Sequence, residues 1–445
     1  MRHSLASFNT RAVAAAVGLI AASWSFGANA QSLLNMVEAA RAYDAAYLSD
    51  VAGAQATRAS AKQGNAGVLP QIALQAQKAR NTVYLDTTPN YKVTTDQVGI
   101  VASQSLYSAT NIANFGKAKQ GEMAADVQLR AAEQALLVRV AQAYFNVLTA
   151  QDEFASLQAS KKAAEQQLAA AKRNFEVGNT TITDTREAQA QFDSIVAQEI
   201  ASDNKLRVLE LALTQVTGLQ NPKPYRLENP EMPPLPGGDI EQWVSTAKDS
   251  SATVAAAKIA LTNAGYDVDA AKGGHLPTLD LTLGYYRNGT SAAHTASNAS
   301  SYKPTSQIAL KFNMPLYVGG AVSNGVDAAV AKETQARSNL DKAMRDVNNQ
   351  VKSAYLGLQS GMSQTKALEA ALASSQSALD ANKLGYEVGV RINIDVLNAQ
   401  TNVFRTQAAL AKARYEVLLG GLQLRLSAGT LSIDDLIELN KLMTP

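Results

Sequence analysis

From Leu397 the positions Thr401, Phe404, Ala408, Ala411, Tyr415, Leu418 and Leu422 follow one another in alternating steps of four and three. That is a 3.5-residue seam, the spacing that lets one helix lie along another in a coiled coil. Leu137, Val140, Tyr144, Val147, Gln151 and Phe154 repeat the pattern in the first half of the chain. Alanine is frequent around both seams, which favours helix and close interhelix approach. Elsewhere the period changes to two. Leu279, Leu281, Leu283 and Tyr285 alternate with Thr278, Asp280, Thr282 and Gly284, and Ile308, Leu310, Phe312, Met314 and Leu316 alternate with Gln307, Lys311 and Asn313. In the first half Ile72, Leu74 and Ala76 alternate with Gln71, Gln75 and Gln77, and Val98, Ile100 and Ala102 with Gln97, Gly99 and Ser103. Such alternation predicts strands with one apolar and one polar face.

The segments recur in the same order, so the chain reads as two copies of one unit. Phe175-Glu176-Val177-Gly178 returns as Tyr386-Glu387-Val388-Gly389, and the same offset of 211 pairs Asp184 with Asp395 and Tyr144 with Tyr355. Leu69-Pro70-Gln71-Ile72 is echoed by Leu276-Pro277-Thr278-Leu279. Proline disrupts helix interiors, and none falls between Pro89 and Pro222 or between Pro315 and Pro445. Six prolines from Pro222 to Pro236 mark a connector.

The reading is therefore a first repeat over 31–237 and a second over 238–445. The first holds a helix over 31–66, two strands at about 68–107, a long helix over 110–177, a helix over 184–217 and the connector. The second holds a helix over 240–273, strands at about 275–317, a long helix over 320–388, a helix over 395–427 and a short C-terminal segment. A helix over 110–177 spans roughly 100 Å at 1.5 Å per residue. The two shorter helices of each half, stacked end to end, match one long helix.

Composition narrows the setting. Arg2 and Arg11, the apolar run Ala12 to Trp24 and the small residues Ala28-Asn29-Ala30 predict a signal peptide over 1–30, with maturation at Gln31. The two arginines account for the formal charge of +2, so the mature chain is near neutral and carries no electrostatic signature of nucleic-acid binding. There is no cysteine, and beyond His3 only His275 and His294 remain, so the usual nucleophiles, bases and soft metal ligands are nearly missing. No nucleophile elbow, phosphate loop or metal constellation points to an enzyme, and no cofactor is expected.

Alternation alone fits a half-buried sheet in a soluble domain. Three features favour strands in lipid. Tyr84, Tyr91, Tyr107, Tyr285, Tyr286, Tyr302 and Tyr317 flank the strands as interfacial girdles do. The apolar runs are about as long as a tilted membrane strand, roughly 10 residues. The strands also sit in an exported chain beside very long helices. Four strands cannot close a barrel, and an open edge in lipid leaves backbone groups unsatisfied. Several protomers must then share one barrel, in a number the residues leave open.

Gly274-His275-Leu276-Pro277-Thr278-Leu279-Asp280-Leu281, Pro315-Leu316-Tyr317-Val318-Gly319-Gly320, Ala143-Tyr144-Phe145-Asn146-Val147-Leu148 and the two Val-Gly turn segments resemble the TolC-type outer-membrane efflux proteins along essentially the whole mature length. The resemblance implies a membrane α/β barrel. In it a homotrimer pools four strands per protomer into twelve, continued by an α-helical coiled-coil barrel across the periplasm with a mixed equatorial region. It implies an outer-membrane exit duct for exported drug or protein cargo, contacting outer-membrane lipid. It also implies two partners, a periplasmic adaptor and an inner-membrane pump, either an ABC exporter or a proton-driven one. The competing class is a periplasmic or surface coiled-coil scaffold without channel activity.

Val177-Gly178 and Val388-Gly389 end the long helices, and Asp184 and Asp395 open the next ones. Glycine suits a helix end and aspartate a helix start, so one reading is that these are turn and capping residues alone. The resemblance adds that the turns form the tunnel's periplasmic tip, with Val177, Gly178, Val388 and Gly389 at the adaptor-docking surface. It places Thr183, Asp184, Tyr386, Arg391 and Asp395 at the gate. Asn398 departs from the family's best-known member by replacing a second acidic residue, which weakens the expected ring of negative charge. His275, Tyr144 and Tyr355 read as structural.

Overall fold

The computed structural model describes residues 31–84, 91–178, 180–227, 233–234, 237–292 and 301–444. The expected signal peptide, part of the connector and both hairpin tips lie outside the described residues. So does Asn179, and the side chains of Tyr91 and Tyr302 are outside them too.

In chain order the helices and strands are α1 (Leu33–Tyr43), α2 (Ala45–Gln63), a short 3₁₀ turn (Gly64–Val68), β1 (Gln71–Val83), β2 (Tyr91–Tyr107), α3 (Ala109–Glu176), α4 (Ile182–Thr217), β3 (Arg226–Leu227), α5 (Ile240–Ser250) and α6 (Ala252–Gly273). There follow β4 (Thr278–Ala292), β5 (Ser301–Asn313), α7 (Ala321–Glu387), α8 (Asn393–Ala428), α9 (Ile433–Asn440) and β6 (Met443–Thr444). The long helices hold 68 and 67 residues, and α4 and α8 hold 36 each. Both α4 and α8 end on a left-handed glycine, Gly218 at φ 73° and Gly429 at φ 73°, again 211 positions apart.

Two of the predicted helices are broken. The expected helix over 31–66 divides at Asp44 (φ −60°, ψ 111°), and that over 240–273 divides at Ser251 (φ −62°, ψ 128°). Asp44 accepts the Tyr47 N–H at 2.7 Å, which caps α2, while its own N–H closes α1 on the Ala40 carbonyl at 2.8 Å. Arg139 of α3 donates to both Asp44 carboxylate oxygens, at 2.7 and 2.8 Å. A buried acid at the break thus satisfies the helix ends and receives a charge partner from the neighbouring helix.

Above the breaks α3 packs against α2 and α6; below them it packs against α4 and α8, and α7 runs beside α6 and α8. The helix α8 carries two seams. Tyr415, Leu418 and Leu422 belong to the cluster built around Leu137, Val140, Tyr144 and Leu148 of α3. Val396, Val403, Val417 and Leu424, on a period of seven, pack with Leu358, Leu379 and Val351 of α7. The second seam went unread in the sequence, because valine on a helix at that spacing is masked by the stronger first seam beside it.

The main core lies midway along the helices, where α1, α9, Leu213 of α4 and Met443 of β6 close over α3 and α8. Phe145 stacks on Tyr415 at 5.9 Å, and Tyr144 meets Phe145 edge-on at 5.7 Å. These tyrosines are more than packing. Tyr144 donates its hydroxyl to the Tyr225 carbonyl at 3.0 Å, and Tyr415 donates to Asp152 at 2.7 Å. Burial raises both phenols above their ordinary range, and the Asp152 charge raises Tyr415 further. The two-residue strands β3 and β6 pair antiparallel beside this core, and Leu33 N–H donates to Asn440 at 3.2 Å, tying the end of the chain to its start.

The four longer strands form one antiparallel sheet in the order β1-β2-β4-β5. Its register puts Ile72, Ala102, Leu283 and Ile308 in one row across the sheet, and Leu74, Ile100 and Tyr285 in the next. Because paired residues share a face, this side is continuous and apolar. On the opposite face Gln75, Gly99, Tyr286 and Thr305 make one row and Gln77, Gln97, Asn288 and Lys303 another. Tyr286 is a correction to the girdle read from the sequence: it lies on the polar side. There its ring covers Gly99 and Gly284, where any β-carbon would fall within 2.5 Å of that ring. The strands run 13 to 17 residues, longer than the apolar stretches that signal them.

Candidate functional site

Two regions carry chemistry that the helical core does not explain: the strand face and the helix tips. On the strand face Ile72, Leu74, Ile308, Leu310 and Phe312 are each at least 62 % exposed, as is Leu316 beyond β5. A row of uncovered aliphatic side chains costs about 25 cal/mol per Å² in water and nothing in hydrocarbon. The outer edges of β1 and β5 pair with no strand among the described residues, so thirteen-residue edges stand open on both sides of the sheet. Among the described residues no helix is long and apolar enough to cross a membrane.

At the far end of the molecule α3 and α7 each finish in a Val-Gly turn. Gly178 and Gly389 both adopt φ 79°, and nothing lies within 4 Å of the β-carbon position of either. The turn after α7 closes tightly, with the Gly385 carbonyl accepting Val390 N–H at 2.8 Å and Arg391 N–H at 3.0 Å. The stem of Arg391 lies over Gly385, where a β-carbon would meet it at 2.7 Å.

Neither Asp184 nor Asp395 is the cap that the sequence reading expected. Thr181 caps α4: its Oγ1 accepts Asp184 N–H at 3.3 Å, while the Asp184 carboxylate accepts Thr181 N–H at 3.0 Å. Asp184 is thus the third helical residue of a reciprocal capping box. Ile392 precedes α8, and Asp395 takes the equivalent third position. Arg391 pairs with Asp395 at 3.6 Å across one turn. Asp184 has no ion pair among the described residues, so within one protomer the structure does not bring Arg391 to Asp184. Thr183 and Asn398 are exposed.

Tyr386 does bridge the two halves. Its hydroxyl accepts Asn174 Nδ2 of α3 at 3.3 Å, and its ring packs with Leu379, Val396 and Val403. Two further bridges were not legible. Gln167 of α3 donates to Asn393, which is only 2 % exposed, and Gln191 of α4 donates to Thr401 at 3.0 Å. A polar residue at a helix seam reads from sequence like any solvated one; only the packing shows it is buried. Around these bridges Phe175, Val177 and Ile182 on one hairpin, and Leu384, Val388, Val390 and Ile392 on the other, are exposed apolar residues. Among the described residues no cluster of side chains is arranged to hold a metal ion.

A sheet with one lipid-compatible face, carried on helices of about 100 Å, defines the class: an outer-membrane channel-forming protein with a helical extension. The chain belongs to the family described as outer membrane efflux protein, whose sequence profile matches residues 36–219 and again 243–430. It is 32 % identical over 431 residues to the outer membrane protein TolC of Vibrio cholerae, covering 96 % of each chain. It is 28 % identical to the alkaline protease secretion protein AprF of Pseudomonas aeruginosa, covering 84 % of this chain and 79 % of that one. In fold it is similar to the Campylobacter jejuni CmeC outer membrane channel, with a TM-score of 0.79 at 17 % identity, 95 % of each chain being covered. The protein resides in the outer membrane with its helices in the periplasm, and serves as the exit duct of a tripartite efflux or type I secretion system.

Proposed function

We propose that three copies of the chain close one barrel of twelve strands around a common bore, and that cargo leaves through it without chemical change. The observation that carries this reading is the pair of open edges on β1 and β5 flanking a continuous apolar face. In lipid each edge must find a partner, and identical copies supply it by joining β5 of one protomer to β1 of the next. The two sequence repeats then place alternating α3/α4 and α7/α8 hairpins around the tunnel, with the core at Tyr144 and Tyr415 as an equatorial belt.

The tips are the gate and the docking surface. Tyr386, Arg391, Asp395, Asn398, Thr183 and Asp184 lie at the narrow end. Three symmetry copies of Asp395 would form a ring of negative charge, with Asn398 contributing hydrogen bonds but no second ring. Within one protomer Arg391 holds Asp395, and Asp184 holds the start of α4; contacts between hairpins of neighbouring protomers complete the closure. The exposed apolar side chains about Val177, Gly178, Val388 and Gly389 suit docking of a helical periplasmic adaptor, which in turn contacts an ABC or proton-driven pump.

The test is assembly together with conductance. Purified in detergent, the mature chain is expected to have the mass of a trimer and to give discrete conductance steps in planar bilayers. A monomer that stays soluble without detergent and conducts nothing would overturn the duct reading and leave the coiled-coil scaffold.

A further inference from the structure

The apolar face of the sheet ends abruptly at a row of cations. Reading outward from the helices along that face, Ala76 of β1 is followed by Lys78 and Arg80, Tyr285 of β4 by Arg287, and Val98 of β2 by Asp96, Thr94 and Lys92. The ladder confirms the shared side, since Lys78 stands opposite Asp96, Val98 opposite Arg287 and Thr82 opposite Lys92. Lys78 pairs with Asp96 at 3.5 Å and is still 76 % exposed in its side chain. Among the described residues this face of the rim carries the cations Lys78, Arg80, Lys92 and Arg287 and one carboxylate, Asp96.

The distribution is one-sided in two senses. Over the same rows the opposite face carries Gln77, Gln97, Asn288 and Lys303, then Ala79, Thr95 and Thr290, with one cation in all among the described residues. At the other end of the apolar face stand Leu279, Phe312, Met314 and Leu316 with no charge at all. General solubility would scatter cations over both faces and both ends. On the lipid-facing side of the described sheet the cations sit only at the end distal to the helices, which is the extracellular side, while the opposite face carries Lys303 at that end and Lys311 at the other.

We propose that this rim binds the phosphate-bearing headgroups of an anionic glycolipid in the outer leaflet. Lys and Arg on a flat sheet reach outward past the apolar band, and guanidinium groups match phosphate oxygens with paired hydrogen bonds. Each cation near an anionic surface adds to the attraction, and the effect decays within a Debye length, so only headgroups bounding the same apolar face are held. Continuity with the lipid-facing band selects a lipid over a soluble anion.

The proposal rests on the duct reading only for which end of the sheet is outermost. Detergent-purified protein is titrated with a bisphosphorylated glycolipid and bound lipid is counted by native mass spectrometry, with phosphatidylcholine and inorganic pyrophosphate as separate arms. The triple variant K78Q/R80Q/R287Q is expected to bind the glycolipid about tenfold or more weakly than the parent, while K303Q on the opposite face matches the parent. Phosphatidylcholine should bind all three proteins alike, and pyrophosphate should not compete. Equal glycolipid binding by parent and triple variant overturns the rim assignment, and so does an equal loss in K303Q. Effective competition by pyrophosphate would mean a free-anion site instead. Single-channel conductance of the same samples is read in parallel: intact conductance with unchanged lipid binding sinks this proposal alone, whereas lost conductance in the parent sinks the duct.

Discussion

Asp44 stops one helix, starts the next and receives Arg139 from a third. Burial opposes its charge and is the largest single influence on it. The Tyr47 N–H, Arg139 and the Ala46 N–H together still hold the carboxyl below its usual range. A depressed folded value means that ionised Asp44 stabilises the fold above 3.8, its unfolded value, and that this is lost as pH falls through the lower folded value. D44N is therefore expected to cost about 1–3 kcal/mol near neutral pH, the worth of hydrogen bonds to a charged group. The gap between variant and parent should begin to narrow below pH 3.8 and close once pH falls below the lower folded value. Thermal midpoints by far-UV circular dichroism at pH 7 and pH 3 test this, and a constant gap would show that the charge is idle. Nothing in the sequence marks Asp44 for this role, since an aspartate before an Ala-rich run reads as a surface residue until Arg139, 95 positions on, is placed beside it.

At the scale of elements the hairpins α3/α4 and α7/α8 are near copies whose tips differ in detail. Both end on glycine at φ 79° and both carry an aspartate at the third position of the next helix. One aspartate is spent on a capping box, the other on Arg391. Replacing Asp184 with Ala removes half of the box and should cost the start of α4 about 1 kcal/mol. R391S releases Asp395 and uncovers Gly385. Both variants are expected to loosen the tip and raise single-channel conductance in planar bilayers; unchanged conductance in both would remove these residues from the gate while leaving the duct intact. D395N should lower cation selectivity, read as a shifted reversal potential in a salt gradient. Turn glycines and paired aspartates were legible because a helix end has few chemical solutions. The bridges from Asn174 to Tyr386 and from Gln167 to Asn393 join residues more than 200 positions apart, and no local rule connects them.

At the scale of the whole molecule the two faces of the sheet divide the work. Leu310 lies on the apolar face and its neighbour Ala309 on the polar one. L310R should disfavour membrane assembly by about 2–4 kcal/mol if it sits near the midplane, whereas A309R should leave assembly intact and alter conductance alone. Counting assembled trimers in outer-membrane extracts separates the two, and equal assembly of both variants would mean that the apolar face does not meet lipid. Periods of 3.5 and 2, the paired Val-Gly turns and the placement of proline depend only on neighbours along the chain. The sequence by itself therefore determined the order of elements, the length of the long helices and the apolar side of each strand. The breaks at Asp44 and Ser251, the second seam of α8, the inward turn of Tyr286 over two glycines and the row of cations at one rim were decided by tertiary structure. Each depends on which distant segment lies alongside: register and packing bring partners together across hundreds of residues, and a residue's own neighbours carry no record of that choice.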